Sequence, residues 1–370
     1  MIFSCDKDVL SAALSMVQRA VALKSPLPAL KGILLSVHQD HLEVKATDLE
    51  FGIRCMVKAS VSEPGEIVLP AKLLTEFVRR LPAGKVELKT DGQQSMKVNI
   101  TSGKINFDIT GFAAEEFPRL PETGDDAAEF SISEGLLKEM LLQTEVAIAR
   151  DETRRVLTGL LMENEDEKLK MVSTDGHRLA FRQADAGIKE DFKAIVPGKV
   201  VQELIKTLSD DEEEKVNISI NKTDIIFELG GVVISSRLVE GKYPPYQQII
   251  PTEFKTTAKV ETKDLASALD RAEVIAREGA NNLVKLSLAQ GSVAINSVSP
   301  DVGVLDDSVD AEIKGEEMEI RFNVRLLLDC LKNIGSQQVN MDFTGPYSPC
   351  LVTPLNDNNC LHLVLPVRLQ

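Results

Sequence analysis

Apolar residues return along this chain at two periods, and the switches between them mark out its elements. Leu73, Leu74, Phe77, Val78 and Leu81 fall at helical spacing, as do Val200, Val201, Leu204, Ile205 and Leu208, so each set predicts an amphipathic helix with a buried stripe. Elsewhere the period drops to two. Ile33–Val37, Leu42–Ala46, Val86–Lys89, Lys97–Ile100 and Ile105–Ile109 predict strands, as do Val216–Ile220 and Ile225–Leu229 further on. Asp6, Ser133 and Thr262 each stand before apolar residues at helical spacing and are the expected helix N-caps. Two helices with many hairpin-linked strands predict an α+β unit, with helices covering one face of an antiparallel sheet.

The pattern repeats. Leu69–Leu81 (LPAKLLTEFVRRL), Val196–Leu208 (VPGKVVQELIKTL) and Phe322–Ile334 (FNVRLLLDCLKNI) align without gaps. Their first bases, Lys72, Lys199 and Arg325, are 127 and 126 residues apart. Phe3-Ser4-Cys5-Asp6 returns as Phe130-Ser131-Ile132-Ser133, and Ala46-Thr47-Asp48 as Ser173-Thr174-Asp175, both at 127. A fixed period of this kind marks tandem copies of one structural unit. Three domains follow, roughly 1–125, 126–252 and 253–370, with boundaries at the proline-, glycine- and charge-rich PETGDDAAEF and IIPTEFKTT.

At 370 residues with 43% hydrophobic positions, the chain has enough apolar material for several cores. Its net charge of −15 argues against binding nucleic acid over the whole surface, while leaving room for local basic patches. The five cysteines form no CxxC pair, so reduced thiols and a cytoplasmic setting are expected rather than a disulfide framework or cysteine zinc site. Asp6 and Asp8 sit where a signal peptide would be cationic, and no apolar stretch reaches a membrane span.

Charge becomes informative on the repeated helix. Each copy carries a base, an acid four residues on (Glu76, Glu203 or Asp329) and a second base (Arg79, Lys206 or Lys332). On one helix this reads as a solvated face with helix-supporting pairs. Three net-positive faces in an acidic chain suggest instead a shared surface that attracts a phosphate backbone.

Motifs for chemistry are missing. There is no P-loop, no GxGxxG after a strand and no GxSxG elbow, and the 57 carboxylates scatter or form solvated runs. His177, in Asp175-Gly176-His177-Arg178, lacks partners at HxH or HExxH spacing and reads as a turn residue rather than a metal ligand or base. No catalytic residue, metal or cofactor is expected.

The three repeats, Thr47-Asp48-Leu49-Glu50, Ser173-Thr174-Asp175-Gly176-His177-Arg178-Leu179-Ala180, Leu238-Val239-Glu240-Gly241-Lys242-Tyr243-Pro244-Pro245-Tyr246 and Leu365-Pro366-Val367-Arg368-Leu369 together resemble the bacterial DNA polymerase III β subunit, the sliding clamp. The resemblance runs the length of the chain. It implies three tandem clamp domains, each two helices on antiparallel sheet, and a head-to-tail homodimer that rings duplex DNA. It also implies a non-enzymatic function: tethering the replicative polymerase, clamp loader and repair polymerases and factors for processivity. Carried over by motif, the partner-peptide groove comprises Leu157, Thr174, Gly176, His177, Arg178, Leu179, Pro244, Leu365, Pro366, Val367 and Arg368, with Gln248, Ile249, Tyr347 and Pro349 beside it. Pro245 stands where an acid is common, and Gln370 lengthens the terminus. Candidate DNA contacts are Lys24, Lys72, Arg79, Arg80, Arg150, Arg154, Lys199, Lys206, Arg271, Arg325 and Lys332. The dimer contact implied is Phe107 and Ile109 against the partner copy's residues equivalent to Val274 and Ile275. The alternative, a metal-dependent nuclease on the same DNA, requires carboxylates clustered near His177 or Asp48.

Overall fold

The computed structural model describes residues 1–22, 24–90, 96–122, 124, 127–279 and 282–368. The expected boundary at 125/126 and the last residue, Gln370, lie outside the described residues.

Helices start where their caps are. The Asp6 carboxylate accepts from the N–H groups of Asp8 (2.8 Å) and Val9 (3.2 Å) and opens α1, Lys7–Val17. The Ser133 hydroxyl accepts from Leu136 N–H and opens α3, Glu134–Glu145. Thr262 breaks the series: Glu261 is the N-cap of α5, Thr262–Ala276, and the Thr262 side chain is buried inside the first turn. The repeated basic helices are α2, Ala71–Arg80, α4, Gly198–Thr207, and α6, Val324–Asn333. Proline precedes α2 and α4, whereas the Asn323 side chain caps α6 through Arg325 N–H. Among the described residues, six α-helices in three pairs match the repeat.

The described residues form two compact units, 1–132 with 215–238 and 133–214 with 239–370. The second repeat contributes to both. In the first unit a five-stranded sheet runs Ser60–Glu63, Ile2–Asp6, Lys85–Thr90, Lys97–Ser102, Ile105–Thr110. An eight-stranded sheet runs Ala128–Ser133, Lys215–Ile220, Asp224–Leu229, Val232–Arg237, Phe51–Lys58, His41–Thr47, Gly32–Val37, Gly65–Pro70. The second unit holds one twelve-stranded sheet. It passes from Phe192–Pro197 through Gly159–Glu165, Lys168–Thr174 and Arg178–Asp185 to Cys360–Val364, and ends at Met318–Asn323. Every paired ladder is antiparallel, so the expected α+β architecture holds.

Two of these ladders join one repeat to the next with the same register. Phe51 pairs with Ser236 and Cys55 with Val232 in the first unit. Arg178 pairs with Val364 and Arg182 with Cys360 in the second.

The helix stripes are buried as expected at Leu74, Val78, Val200, Val201 and Leu204, but Leu73 is half exposed and Thr75 takes a buried place instead. All five cysteines are buried and free. Burial pushes the Cys5, Cys55 and Cys360 thiols up to about 12, and Cys330 and Cys350 well above their ordinary value. No helix among the described residues is long and apolar enough to cross a membrane.

Candidate partner groove and nucleic-acid interface

The Thr-Asp echo in the sequence is a repeated turn. Thr174 Oγ1 donates to the carbonyl of Arg178 at 2.7 Å and accepts from Gly176 N–H, while Asp175 Oδ1 accepts from His177 and Arg178 N–H at 2.8 and 3.0 Å. In the first repeat Thr47 bonds Phe51 and Leu49 in the same way, and Asp48 bonds Glu50 and Phe51. The third turn position is left-handed in both, at φ +87° for Gly176 and +83° for Leu49. Glycine suits that conformation, and Leu49 holds it at a steric cost of about 1–2 kcal/mol.

The candidate groove residues expected from the sequence lie around the 174–178 turn. Leu157 and Leu179 are buried in a cluster with Tyr243, Tyr246, Leu351 and Leu363. Pro244 is exposed between the two buried tyrosines, and Ile249 is 50% exposed at the end of the short helical turn Tyr246–Ile249, whose Gln248 is also exposed. Leu365 N–H donates to the His177 carbonyl at 2.9 Å, which lays the C-terminal segment along the turn. Leu365 is 37% exposed and Tyr347 67% exposed, and Arg368 Nη2 donates to the Tyr347 carbonyl at 3.3 Å. Pro349 precedes Cys350, which pairs with Val364, so it adjoins the same segment. Pro366 and Val367 are half-buried, and Val367 N–H is tied to the Arg321 carbonyl rather than to the turn. The result is a buried apolar cluster edged by partly exposed apolar side chains, suited to bury a few side chains of a short peptide. Thr174 is buried with its hydroxyl spent inside the turn, so it shapes this surface rather than offering a contact.

Ionic ties hold the turn from behind. Arg178 binds Asp175 Oδ2 through Nε (3.1 Å) and Asp329 Oδ2 on α6 through Nη1 (2.7 Å). The Tyr246 hydroxyl donates to Glu163 Oε1 at 2.7 Å, and Lys193 holds Glu163 Oε2 at 2.7 Å. Burial, then that carboxylate, pushes the Tyr246 phenol above its ordinary value; burial does the same for Tyr243. His362 is fully buried on the strand beside the turn, and burial, with the Arg178 charge second, lowers it to about 4. Sequence reading missed Glu163 and His362, and it gave Asp329 only as the acid of the repeated helix. Glu163 and Tyr246 lie 83 residues apart and carry no local signal of pairing.

His177 keeps its imidazole exposed and belongs to no grouping of three metal-ligating side chains among the described residues. Asp48 and Asp175 spend carboxylate oxygens on turn N–H groups.

All eleven candidate DNA contacts are exposed. Among their ion pairs, Arg80–Glu76 at 3.2 Å has the expected i,i+4 spacing. Lys206 binds Glu203 three residues back. Arg325 and Lys332 reach Glu273 and Asp270 on α5, and Arg271 reaches Asp307. Asp329, expected to brace α6, is turned to Arg178 instead. Arg150, Arg325 and Lys332 share a cleft of about 640 Å³ with His177 and Arg178.

Of the residues implied at a dimer contact, Val274 is 52% exposed, Ile275 half-buried, and Phe107 stacks on Phe77 with ring centroids 4.1 Å apart. Ile109 is 2% exposed, whereas Ile105, on the same face of the same strand, is 38% exposed.

Family comparison agrees with this architecture. Models of the DNA polymerase III beta subunit match in chain order: N-terminal domain at 1–121, central domain at 131–245 and C-terminal domain at 247–368. The beta sliding clamp of Bacillus subtilis is 36% identical, with both chains fully covered. The crystal structure of the Bacillus subtilis DNA polymerase sliding clamp superposes with a TM-score of 0.95 at 35% identity, again over all of both chains. The DNA polymerase beta subunit of Streptococcus pyogenes does so at 0.94 and 27%, over the same full coverage. The chain therefore belongs to the DNA polymerase III beta subunit family, the beta sliding clamps.

Proposed function

We propose that two copies of this chain close head to tail into a ring around duplex DNA. In that form they tether the replicative polymerase, clamp loader and repair factors through the groove, without catalysing a reaction. The observation that carries this reading is the repeated junction. Val232–Arg237 and Cys360–Val364 dock onto Phe51–Lys58 and Arg178–Asp185 with matching register. The corresponding strand of the first repeat, Ile105–Thr110, lies at a sheet edge. The corresponding acceptor in the third repeat is the first part of Gly303–Gly315, which pairs there with Ser292–Ser299 on one side only among the described residues. A third junction of the same kind, made between copies, covers both edges, and making it twice closes six domains.

The domains run roughly 1–125, 126–252 and 253–370, and the basic side chains of α2, α4 and α6 face the DNA. Contact there is electrostatic and independent of sequence. Five reduced thiols suit a cytoplasmic setting. The nuclease reading finds Asp48 and Asp175 committed to backbone N–H groups.

The test is topological. Protein loaded on nicked circular DNA stays bound through gel filtration and is released when the circle is linearised. Equal loss from both templates overturns the ring.

A further inference from the structure

We propose that the hairpin turn at His38–His41 is a binding site for a divalent transition-metal cation such as Zn²⁺, ligated by His38, His41 and Glu43. The turn joins strands Gly32–Val37 and His41–Thr47 and is closed by His38 N–H donating to the His41 carbonyl at 2.9 Å. Closure sets the two imidazoles side by side, with ring centroids 4.6 Å apart and planes 20° apart. Glu43 lies two residues after His41 and so on the same face of the strand. One ligand atom from each of the three lies within 4.8 Å of the others.

The spacing suits the ion. Tetrahedral Zn²⁺ holds nitrogen and oxygen donors at about 2.0–2.2 Å, which separates neighbouring donors by about 3.3–3.5 Å. His38 Nε2 and Glu43 Oε2 are 3.4 Å apart, so one edge of the tetrahedron is already built. His41 closes the second by rotating its ring, which is one-third exposed. The outer shell is also in place. Asp40 Oδ1 lies 2.6 Å from His41 Nδ1, and a carboxylate there fixes the tautomer that leaves Nε2 free for a metal. Two imidazoles and a carboxylate favour a borderline cation over Ca²⁺ or Mg²⁺, which take oxygen donors. Solvent supplies the fourth ligand.

Nearby cations set the strength. Lys45 Nζ reaches Glu43 Oε2 at 2.5 Å, Arg54 Nη1 reaches Glu43 Oε1 at 3.8 Å, and Lys58 pairs opposite His41. They oppose a further positive charge, so the affinity is micromolar rather than that of a buried structural zinc site.

The experiment titrates the full chain, without a purification tag, with ZnCl₂ by calorimetry and with CoCl₂ by visible absorption. One ion per chain and a tetrahedral cobalt spectrum are expected. His38→Ala and His41→Gln each raise the dissociation constant about tenfold or more, while His177→Ala leaves it unchanged. Metal-free melting midpoints of the variants show that each is folded, and Zn²⁺ raises the midpoint of the parent chain and of His177→Ala but much less that of His38→Ala or His41→Gln. Absence of binding up to about 1 mM, or binding that either histidine substitution leaves unchanged, overturns the site.

Discussion

The backbone N–H of Leu365 donates to the carbonyl of His177 at 2.9 Å, so the C-terminal segment is held to the 174–178 turn by main chain. Its side chains can be changed without undocking it. Leu365→Ala with Val367→Ala removes apolar groove wall, and burial of such side chains contributes about 1.5–3 kcal/mol each. A partner peptide in fluorescence anisotropy is expected to lose tenfold or more in affinity, while dimer mass and retention on circular DNA stay as they were. Unchanged peptide affinity with an intact dimer would put the groove elsewhere.

The proposed ring closure would rest on exposed residues that the isolated fold does not need. Val274→Glu with Ile105→Glu changes two partly exposed positions, so the folded chain is expected to survive with a similar melting midpoint. Sedimentation should then report monomer, because unpaired charge at a buried interface costs several kcal/mol. A variant that sediments as the parent dimer rejects this placement of the contact.

Binding to short duplexes is expected to be weak and steeply salt-dependent. Lys72→Glu and Lys199→Glu change exposed positions on α2 and α4. Each phosphate interaction that a substitution removes should flatten the slope of log affinity against log salt by about 0.9. Weakening confined to particular DNA sequences would contradict a backbone-only interface.

His362 couples stability to acid. Its folded value, lowered to about 4 from 6.5, means that between those pH values the unfolded chain holds a proton that the folded chain refuses. Stability therefore falls as pH drops from 6.5 to 4, by roughly 3 kcal/mol in all for a fully buried group. Urea unfolding at pH 7, 6 and 5 should show a smaller loss for His362→Gln than for the parent chain. Glu145 and Asp342, raised mainly by burial, act in the opposite sense in both proteins, so the comparison isolates the histidine.

What could be read from the sequence was whatever is written locally or repeated. Helical stripes, period-two strands and the Asp6 and Ser133 caps depend on neighbours within a few residues. The 127-residue beat exposed the domains, and the Thr47-Asp48 and Thr174-Asp175 echo marked a turn whose hydrogen bonds only coordinates could supply. Errors arose where tertiary packing chose between equal local options. Glu261 rather than Thr262 became the cap, and Thr75 rather than Leu73 went inside. Asp329 shows the limit most clearly, since its Arg178 partner is 151 residues away. Family motifs pointed to the candidate groove residues, but the Glu163 and Asp329 ties beside them carried no local signal.

The five shut-away thiols give the chain a built-in footprint of its own opening. A cysteine that is buried and held protonated reacts with an alkylating reagent only after the surrounding core gives way. Cys5 and Cys55 report on the first repeat, and Cys330, Cys350 and Cys360 on the third. The middle repeat has none and stays silent. Mass spectrometry of partly labelled protein would thus separate the two ends of a single chain. It would show which side of a closed assembly loosens first, with no engineered label anywhere in the molecule.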